Sequence, residues 1–311
     1  MIVSVIIVTT GEAEHIISCL DSLKAQAFSP LEVVVIDNSL RPSFRKEIVV
    51  RFPWVKVYSS PNNFSYGISM NMGISMSKGD FILCLNDDVV LDRYFIQEAL
   101  NGFSVDAKIA MVSGKICRIE TKTIDSAGLF LSLSRVAKER GYGLKDTGQY
   151  GKPGYIFGVS GAAAFYHKQM MEDIKQGTDC FDPDFRFFYE DLDIAWRARN
   201  RGWKAYYVPT AIAYHARGGT ARKKQGVGKV FARFYINDDD LQFELIKNRC
   251  LAIIKNDTAL GFLLHLPFIF IYSLAELGFL VLFRPKVIPK LLSLPRFMKS
   301  AFRKRFAAER I

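Results

Sequence analysis

Short apolar runs and helical periods take turns along the N-terminal third of the chain. The predicted strands cover residues 3–8, 31–36, 55–58 and 81–85, and the predicted helices between them cover 14–27, 44–50 and 68–77. Strand and helix signals that alternate in this way are typical of a mainly parallel sheet flanked by helices. The sequence therefore predicts the α/β class.

Polar clusters follow three of the predicted strands. They are Thr9-Thr10, Asp37-Asn38-Ser39 and Asn86-Asp87-Asp88. Because open parallel sheets bind ligands outside the carboxyl ends of their strands, three such clusters at one edge predict a polar pocket for a nucleotide. Neither G-x-G-x-x-G after the first strand nor G-x-x-x-x-G-K-[ST] is present. That argues against a nicotinamide dehydrogenase and a P-loop ATPase.

A second group of carboxylates opens a predicted helix in the segment FFYEDLDIAWRARNRGW, residues 187–203. Carboxylates at a helix N-terminus are stabilised by the helix dipole by roughly 0.3–1 kcal/mol, and we assign Asp193 to that role. Glu190 and Asp191 directly follow an aromatic run. A carboxylate held against apolar rings can serve as a general base, so both are candidates for that chemistry.

One histidine follows a predicted strand in VPTAIAYHARGGT, residues 208–220. His215 stands beside Arg217 and two glycines, a combination that suits phosphate and metal binding better than simple packing. Imidazole is a common ligand for transition metals such as manganese.

Composition narrows the class of protein further. A chain of 311 residues, half of them hydrophobic, can form one large domain or two small ones. The five cysteines are scattered without a C-x-x-C pair, which predicts neither a disulfide framework nor a zinc site. The first residues form a predicted strand rather than a cleavable apolar leader, so we expect a reducing cytoplasm.

The net charge of +11 is concentrated near the C-terminus, where nine cations and one acid follow residue 283. Basic patches suit phosphates, anionic lipid or nucleic acid, although such a run can also be solvated surface. The preceding apolar stretch, 260–283, is long enough to span a bilayer, which takes about 20 residues. Pro267, His265 and Glu276 weaken a spanning interpretation, because an acidic residue at mid-bilayer is costly. We expect this tail to lie on an anionic membrane surface; packing in a homo-oligomer and true spanning are the alternatives.

The motifs, taken together, resemble a known family. The matching stretches run from Ser4 to His215 and are SVIIVT, VVVIDNS, Asn63 with Gly67 and NMGI, LNDDV, GVSGA, YEDLD, and Gly202-Trp203 followed by Val208-Pro209 and His215. In order and spacing they resemble the family 2 glycosyltransferases of the GT-A fold, from residue 3 to about residue 249. Within that family the chain is most similar to bacterial rhamnosyltransferases of cell-surface polysaccharide synthesis.

The resemblance implies a role for each matching residue. Asp37 resembles the aspartate that contacts the nucleotide base, and Asp88 the main ligand of Mn²⁺ or Mg²⁺. Asp191 resembles the general base of inverting members. The other implied positions are the donor contacts Thr9, Thr10, Asn63, Asn86 and Asp87, the metal-site histidine His215, and Glu190, which would position the acceptor.

The implied organisation is a GT-A catalytic domain over 1–250, with a nucleotide-sugar half at 1–90 and an acceptor half at 91–250, and a helical C-terminal extension over 251–311. The implied reaction moves L-rhamnose from dTDP-rhamnose, with inversion, to a hydroxyl of a growing lipid-linked glycan. We expect this at the inner face of the cell membrane, without a nucleic-acid partner. The alternatives are another hexose, direct transfer to polyprenyl phosphate, and an inactive sugar-binding scaffold on the same fold.

Overall fold

The computed structural model describes residues 1–119, 121–217 and 238–308. The glycine-rich segment 218–220 and the last three residues of the charged tail, all used in the sequence interpretation, lie outside these ranges. Contacts divide the chain into two compact units, which we call the sheet unit and the helical unit. The sheet unit comprises Met1–Phe130, Lys138–Pro183 and Glu190–Gly218, and the helical unit comprises Leu131–Ala137, Asp184–Tyr189 and Gly219–Ile311.

The first seven elements follow the order predicted from the sequence. They are β1 (Val3–Thr9), α1 (Ala13–Lys24), β2 (Leu31–Asp37), α2 (Phe44–Arg51), β3 (Lys56–Ser59), α3 (Tyr66–Ser75) and β4 (Phe81–Asn86). Successive side chains of a strand point to opposite faces, so a strand covered on both faces has a continuous apolar run. Val5, Ile6 and Ile7 of β1 are all fully buried, which explains why the run was visible.

The later elements are shorter and less regular in sequence. They are β5 (Val89–Leu91), α4 (Phe95–Phe103), β6 (Ile109–Arg118), β7 (Ile124–Ser126), β8 (Leu129–Leu131), β9 (Ala137–Glu139), β10 (Gly154–Ile156), β11 (Ala163–His167), α5 (Lys168–Asp173), α6 (Glu190–Asn200) and β12 (Lys204–His215). The predicted helix with an acidic first turn and the predicted strand ending in histidine are α6 and β12.

Within the described residues, ten strands form one sheet whose main order is β10-β12-β6-β11-β4-β1-β2-β3. Strands β4, β1, β2 and β3 are parallel, and so are β12 and β6. Strand β11 runs antiparallel between β4 and β6. The predicted mixed α/β class with a mainly parallel sheet is confirmed.

Apolar layers cover both faces of this sheet. Leu20 of α1 and Phe95 of α4 belong to one layer, and Met70 of α3 and Ala195 of α6 belong to the other. Burial on both faces fixes the register of the central strands, because a slip by one residue would exchange the two faces. The strand ends, and the polar residues on them, are therefore held in fixed relative positions.

The helical unit contains α7 (Asp239–Asn256), α8 (Ala259–Phe283), a 3₁₀ helix (Pro285–Ser293) and α9 (Leu294–Ala308). The Asp238 carboxylate caps α7 by accepting hydrogen bonds from the N–H groups of Asp240 and Leu241 at 2.8 and 2.9 Å. The core of this unit is formed by Phe243, Ile246, Phe279, Leu280 and Val287. Helix α7 crosses the boundary drawn at residue 250, which stays a prediction.

Helix α8 is the one helix in the described part of the chain whose length and hydropathy would let it cross a membrane. Only 22% of its most apolar window is buried. Glu276, the acid in this helix, is itself buried and pairs with Arg249 at 3.1 Å. Burial raises the pKa of Glu276 to about 7, although Arg249 opposes the rise. The acidic side chain therefore faces the core of the helical unit, and the exposed surface of α8 is apolar.

Candidate active site

Three strand ends bring the predicted polar clusters to one edge of the sheet. In the parallel pairing, Thr9 is the register partner of Asp37, and Val8 is the partner of both Ile36 and Asn86. The carboxyl ends of β1, β2 and β4 thus lie side by side, where a doubly covered sheet leaves room for a ligand.

Asp37, the predicted base contact, is 2% exposed and held from two sides. Its Oδ1 accepts the Ser39 N–H at 2.8 Å, and its Oδ2 accepts the Ser59 hydroxyl at 3.1 Å. Thr9 is also buried, whereas Thr10 and Asn63 are exposed. The structure therefore brings Thr9 and Asp37 together and leaves the other two predicted donor contacts at the surface.

The acidic pair sits in the tight turn between β4 and β5. Burial raises the pKa of Asp87 to about 6, the Thr9 hydroxyl opposes the rise by hydrogen bonding, and the neighbouring Asp88 carboxylate adds to it. Two adjacent carboxylates in a partly buried turn repel each other, and a cation bound beside them relieves that repulsion.

The pairing of β12 with β5 places His215 next to Asp88. The antiparallel pairing of β12 with β5 sets His215 opposite Val89, and the His215 Nε2 lies 3.1 Å from the Asp88 Oδ1. The other ring nitrogen, Nδ1, lies 2.8 Å from the Asp125 Oδ2, and the Asp125 Oδ1 accepts a hydrogen bond from the Arg217 Nε. Burial alone would lower the pKa of His215, but the hydrogen bonds with Asp125 and Asp88 raise it to about 9.

The side chains of Asp88 and His215 fit a divalent metal by their chemistry. Carboxylate oxygen suits Mg²⁺ and Mn²⁺, and imidazole nitrogen suits manganese and other transition metals. No group of three or more His, Cys, Asp or Glu side chains able to hold a metal occurs within the described residues. Two protein ligands are enough for a metal ion when phosphates of the bound substrate and waters supply its other coordination positions.

Asp191 stands at the first turn of α6 with both oxygens fixed by the backbone. Its Oδ2 accepts the Gly161 N–H at 2.9 Å, and its Oδ1 accepts the Leu192 N–H at 2.7 Å. A Cβ on residue 161 would lie 3.3 Å from that Oδ2, so glycine permits the close approach. Burial raises the pKa of Asp191, and the backbone donors oppose the rise. A carboxylate with a raised pKa is a stronger base than an ordinary one, which suits proton removal from a hydroxyl.

The acidic turn and Asp191 are linked through the start of β11. The Asn86 N–H donates to the Ala162 carbonyl at 3.0 Å, and the preceding residue, Gly161, holds Asp191. Glu190 adds to a rise in the pKa of Tyr66 whose main cause is burial. The Tyr66 hydroxyl donates to the Gly161 carbonyl at 3.3 Å, and the Asp191 charge also raises the pKa of Tyr66, so both acids lie near this hydroxyl.

Glu139 is a further carboxylate at this place that the sequence interpretation missed. Its Oε1 accepts the Ser160 hydroxyl at 2.9 Å, and its Oε2 accepts the Ser126 hydroxyl. Burial raises the pKa of Glu139 to about 8, and the nearby Asp191 carboxylate contributes to the rise. Asp125 was missed as well; both acids lie on three-residue strands, which are too short to show a period in sequence.

With this geometry established, comparison with known proteins identifies the family. The sequence model of the family described as Glycosyl transferase family 2 matches residues 4–175, more than half of the chain. The chain belongs to glycosyl transferase family 2. The matched segment holds β1 to β4, the acidic turn and Gly161, whereas Asp191 and His215 of this family 2 chain lie beyond it.

The curated relatives are bacterial polysaccharide synthases. The chain is 22% identical over 217 residues to poly-beta-1,6-N-acetyl-D-glucosamine synthase of Staphylococcus aureus strain COL, and 21% identical to that of strain MW2. Each alignment covers 66% of this chain and 47% of the relative. The chain thus spans about half the length of the curated relatives it matches.

Solved structures share the fold. GalNAc-T7, crystallised with UDP, GalNAc and Mn²⁺, superposes with a TM-score of 0.59 at 15% identity, covering 81% of this chain and 48% of that one. TarS of S. aureus superposes with a TM-score of 0.56 at 16% identity, covering 83% of this chain and 40% of that one. At these identities the likeness establishes the GT-A fold alone.

Proposed function

We propose that this family 2 chain is an inverting glycosyltransferase that moves a sugar from a nucleoside diphosphate to an acceptor hydroxyl. The observation that carries the proposal is that one sheet edge holds both the Asp88–His215 pair and the carboxylate of Asp191. Asn86 of the acidic turn bonds to Ala162, and the neighbouring Gly161 bonds to Asp191. A metal-type donor pair and a fixed base at one edge match the two demands of glycosyl transfer, which are leaving-group stabilisation and proton removal.

Asp191 is the proposed general base. It takes the proton of the acceptor hydroxyl while that oxygen forms its bond to the anomeric carbon and the bond from that carbon to the diphosphate breaks. The Gly161 and Leu192 N–H groups fix the direction of both carboxylate oxygens. One base acting from the face opposite the leaving group gives inversion. Glu190, at the same helix start, is proposed to position the acceptor.

Asp88 and His215 are the residues that would hold Mn²⁺ or Mg²⁺. A divalent ion bound there would neutralise the charge of the departing diphosphate. The GalNAc-T7 structure, obtained with UDP and Mn²⁺, supports this choice of metal. Asp37 and Thr9 are the proposed contacts to the nucleoside, with Asn86 and Asp87 beside the diphosphate and the exposed Thr10 and Asn63 at the outer rim.

The proposed donor sugar is L-rhamnose carried by dTDP, and the proposed acceptor is a lipid-linked glycan of a cell-surface polysaccharide. The support is the resemblance of the site motifs to rhamnosyltransferases. A second candidate is a UDP-N-acetylhexosamine donor, which the curated relatives favour because they are N-acetylglucosamine polymer synthases.

We further propose that the enzyme works at the inner face of the cell membrane through its helical unit. The exposed surface of α8 is apolar, since its acid Glu276 is buried against Arg249. Helix α9 adds exposed Arg296, Lys299 and Arg303. Apolar and cationic side chains exposed on one unit suit an anionic interface. A homo-oligomer contact through the same surface is the competing interpretation.

The donor can be tested by thermal stabilisation, since a ligand that binds the folded state raises apparent stability. The protein is heated with dTDP-rhamnose, UDP-N-acetylglucosamine and UDP-glucose, each with and without Mn²⁺. We expect dTDP-rhamnose to raise the melting temperature in a Mn²⁺-dependent manner. Stabilisation by UDP-N-acetylglucosamine alone would select the second candidate, stabilisation by UDP-glucose alone would contradict both candidates, and no stabilisation by any nucleotide sugar would contradict the proposed site.

A further inference from the structure

Asp125 is a buried carboxylate of the sheet unit that has no role in the glycosyl transfer proposed above. It is 1% exposed and lies on β7. Its Oδ2 is 2.8 Å from the His215 Nδ1, its Oδ1 accepts from the Arg217 Nε, and the Arg118 Nε lies 3.7 Å away. Burying a carboxylate costs free energy unless partners compensate its charge, and these three partners compensate the charge of Asp125.

The His215 ring uses both of its nitrogens in this arrangement. Nδ1 meets Asp125 and Nε2 meets Asp88 at 3.1 Å, so the line from Asp125 to Asp88 passes through the imidazole. Without a metal, each ring nitrogen can donate to one of the two carboxylates. A divalent ion bound together with Asp88 would take the place of the Nε2 proton, while Nδ1 keeps donating to Asp125. Carboxylates that accept from the far nitrogen of a metal-binding histidine fix its tautomer and orientation.

We propose that Asp125 is a positioning residue that holds the His215 imidazole in the tautomer and orientation needed to bind a divalent metal together with Asp88. This rests on the metal site of the proposed function. Asp125 acts through His215 and does not itself touch the ion.

The backbone makes this arrangement rigid. Strands β7 and β12 both pair with β6, one on each side, and His215 is the register partner of Arg118 at the end of β6. The Asp125 side chain therefore contacts His215 across the end of β6, and pairing with β6 holds both β7 and β12 in place. The Arg217 and Arg118 guanidinium groups both lie over the Tyr142 ring, at 4.7 and 5.1 Å from its centre, and this contact restrains the two cations near the carboxylate.

The test measures Mn²⁺ affinity of the full chain by electron paramagnetic resonance of the free ion. Asp125→Asn keeps the shape of the side chain but removes its charge. We expect Mn²⁺ binding to weaken about 10–100-fold, the usual effect of losing a partner that orients a metal ligand. In a His215→Gln background the same change should cause no further loss, because Asp125 would act only through the histidine.

Asp146→Asn is the matched control. Asp146 pairs with Lys115 of β6 at 2.8 Å, so this variant loses a partly buried ion pair on the same strand without touching His215. We expect its Mn²⁺ affinity to equal that of the wild type. If the wild type itself binds no Mn²⁺, the metal assignment of the proposed function fails. If the wild type binds Mn²⁺ and Asp125→Asn binds it equally well, the positioning role is overturned. It is also overturned if Asp125→Asn weakens Mn²⁺ binding as much in the His215→Gln background as in the wild type.

A measurement on the wild type covers the case in which Asp125→Asn does not fold. The chain has four histidines, so ¹⁵N spectra of their ring nitrogens are simple, and the His215→Gln variant assigns the one of interest. With Cd²⁺ as a diamagnetic probe, we expect a protonated His215 Nδ1 and a Cd²⁺-shifted Nε2. A shifted Nδ1 with a protonated Nε2, or no shift at either nitrogen, would contradict the proposal.

Discussion

At the residue scale, two acids in one helical turn differ by their partners. Asp193 is fully buried and pairs with Arg197 at 2.9 Å, whereas Asp191 is held only by backbone N–H groups in the part of its surroundings described above. The place of Glu190 and Asp191 directly after the aromatic run is what made Asp191 a base candidate and left Asp193 as a partner of the helix dipole; both roles stay predictions. It could not foresee Gly161, because that contact joins residues thirty positions apart.

Asp191→Asn should lower turnover roughly 10²-fold or more, because an amide cannot accept the proton. The dissociation constant of the donor should stay nearly unchanged. Asp193→Asn is the control: it should lower the free energy of unfolding by about 1–3 kcal/mol, as expected for a weakened buried pair, and leave turnover of the folded protein intact. Rates of nucleoside diphosphate release and thermal melting measure the two effects. Near-normal turnover of Asp191→Asn would move the base role to Glu190.

The raised pKa of Glu139 makes the folding stability of the protein depend on pH. Burial raises its pKa to about 8 from an ordinary 4.5, so the folded protein holds this proton more tightly than the unfolded chain does. The contribution of Glu139 to stability is therefore largest below pH 4.5 and falls as the pH rises to about 8, by about 1.4 kcal/mol for each unit of pKa difference. Glu139→Gln keeps one acceptor oxygen for a serine hydroxyl, and its amide NH₂ can donate to the other hydroxyl. The melting temperature of this variant should gain on that of the wild type between pH 5 and pH 8.5. Parallel melting profiles over this range would contradict the assignment.

At the scale of elements, sequence pattern revealed what is long and buried on both faces. Strands β1, β2 and β4 were predictable because each is a nearly continuous apolar run, and their order placed Thr9, Asp37 and Asn86 at one edge. The pairing of β5 with β12, which joins Asp88 to His215, was not visible in pattern, because a three-residue strand has no period. Those two residues were linked in sequence only by their resemblance to family motifs.

The exposed cations of helix α9 lead to a prediction about binding to anionic membranes. Its exposed cations, Arg296, Lys299 and Arg303, follow a spacing of three and four residues and lie on one face, near exposed Phe302. Each cation near an anionic surface contributes about 1 kcal/mol, so changing all three to Gln should sharply reduce binding to anionic vesicles in a flotation assay. Added salt should reduce wild-type binding in the same way, because screening shortens the range to roughly 10 Å at 0.1 M.

The control for that experiment changes Arg45, Lys46 and Arg51 of α2 to Gln, an equal loss of charge in the sheet unit. Its vesicle binding should match the wild type. Equal flotation of the α9 variant and the wild type would remove the membrane role. The apolar surface of α8 would then be assigned to an oligomer, which light scattering detects as a larger mass.

At the scale of the whole molecule, the class and the family were predictable from sequence because the glycosyltransferase motifs lie in order along the sheet unit. It could not give the hydrogen-bond network from Asp125 through His215 to Asp88, which requires strands far apart in sequence to pair with β6 and β5. It also could not show that Glu276 is buried, since its helix is apolar all round. The chain spans about half the length of its curated relatives, so the family assignment rests on part of those proteins only.

The central claim is that the sheet edge at Asp88 transfers sugar from a nucleotide donor. Nucleoside diphosphate release from dTDP-rhamnose and UDP-N-acetylglucosamine, measured with Mn²⁺ for the wild type, Asp88→Asn and Asp92→Asn, tests it most directly. Asp92 lies four residues on and accepts the Tyr94 N–H at 3.1 Å, so its variant is a matched loss of charge outside the site. We predict release by the wild type and Asp92→Asn, and loss of release in Asp88→Asn and in excess chelator. Equal release by all three proteins, undiminished by chelator, would contradict it.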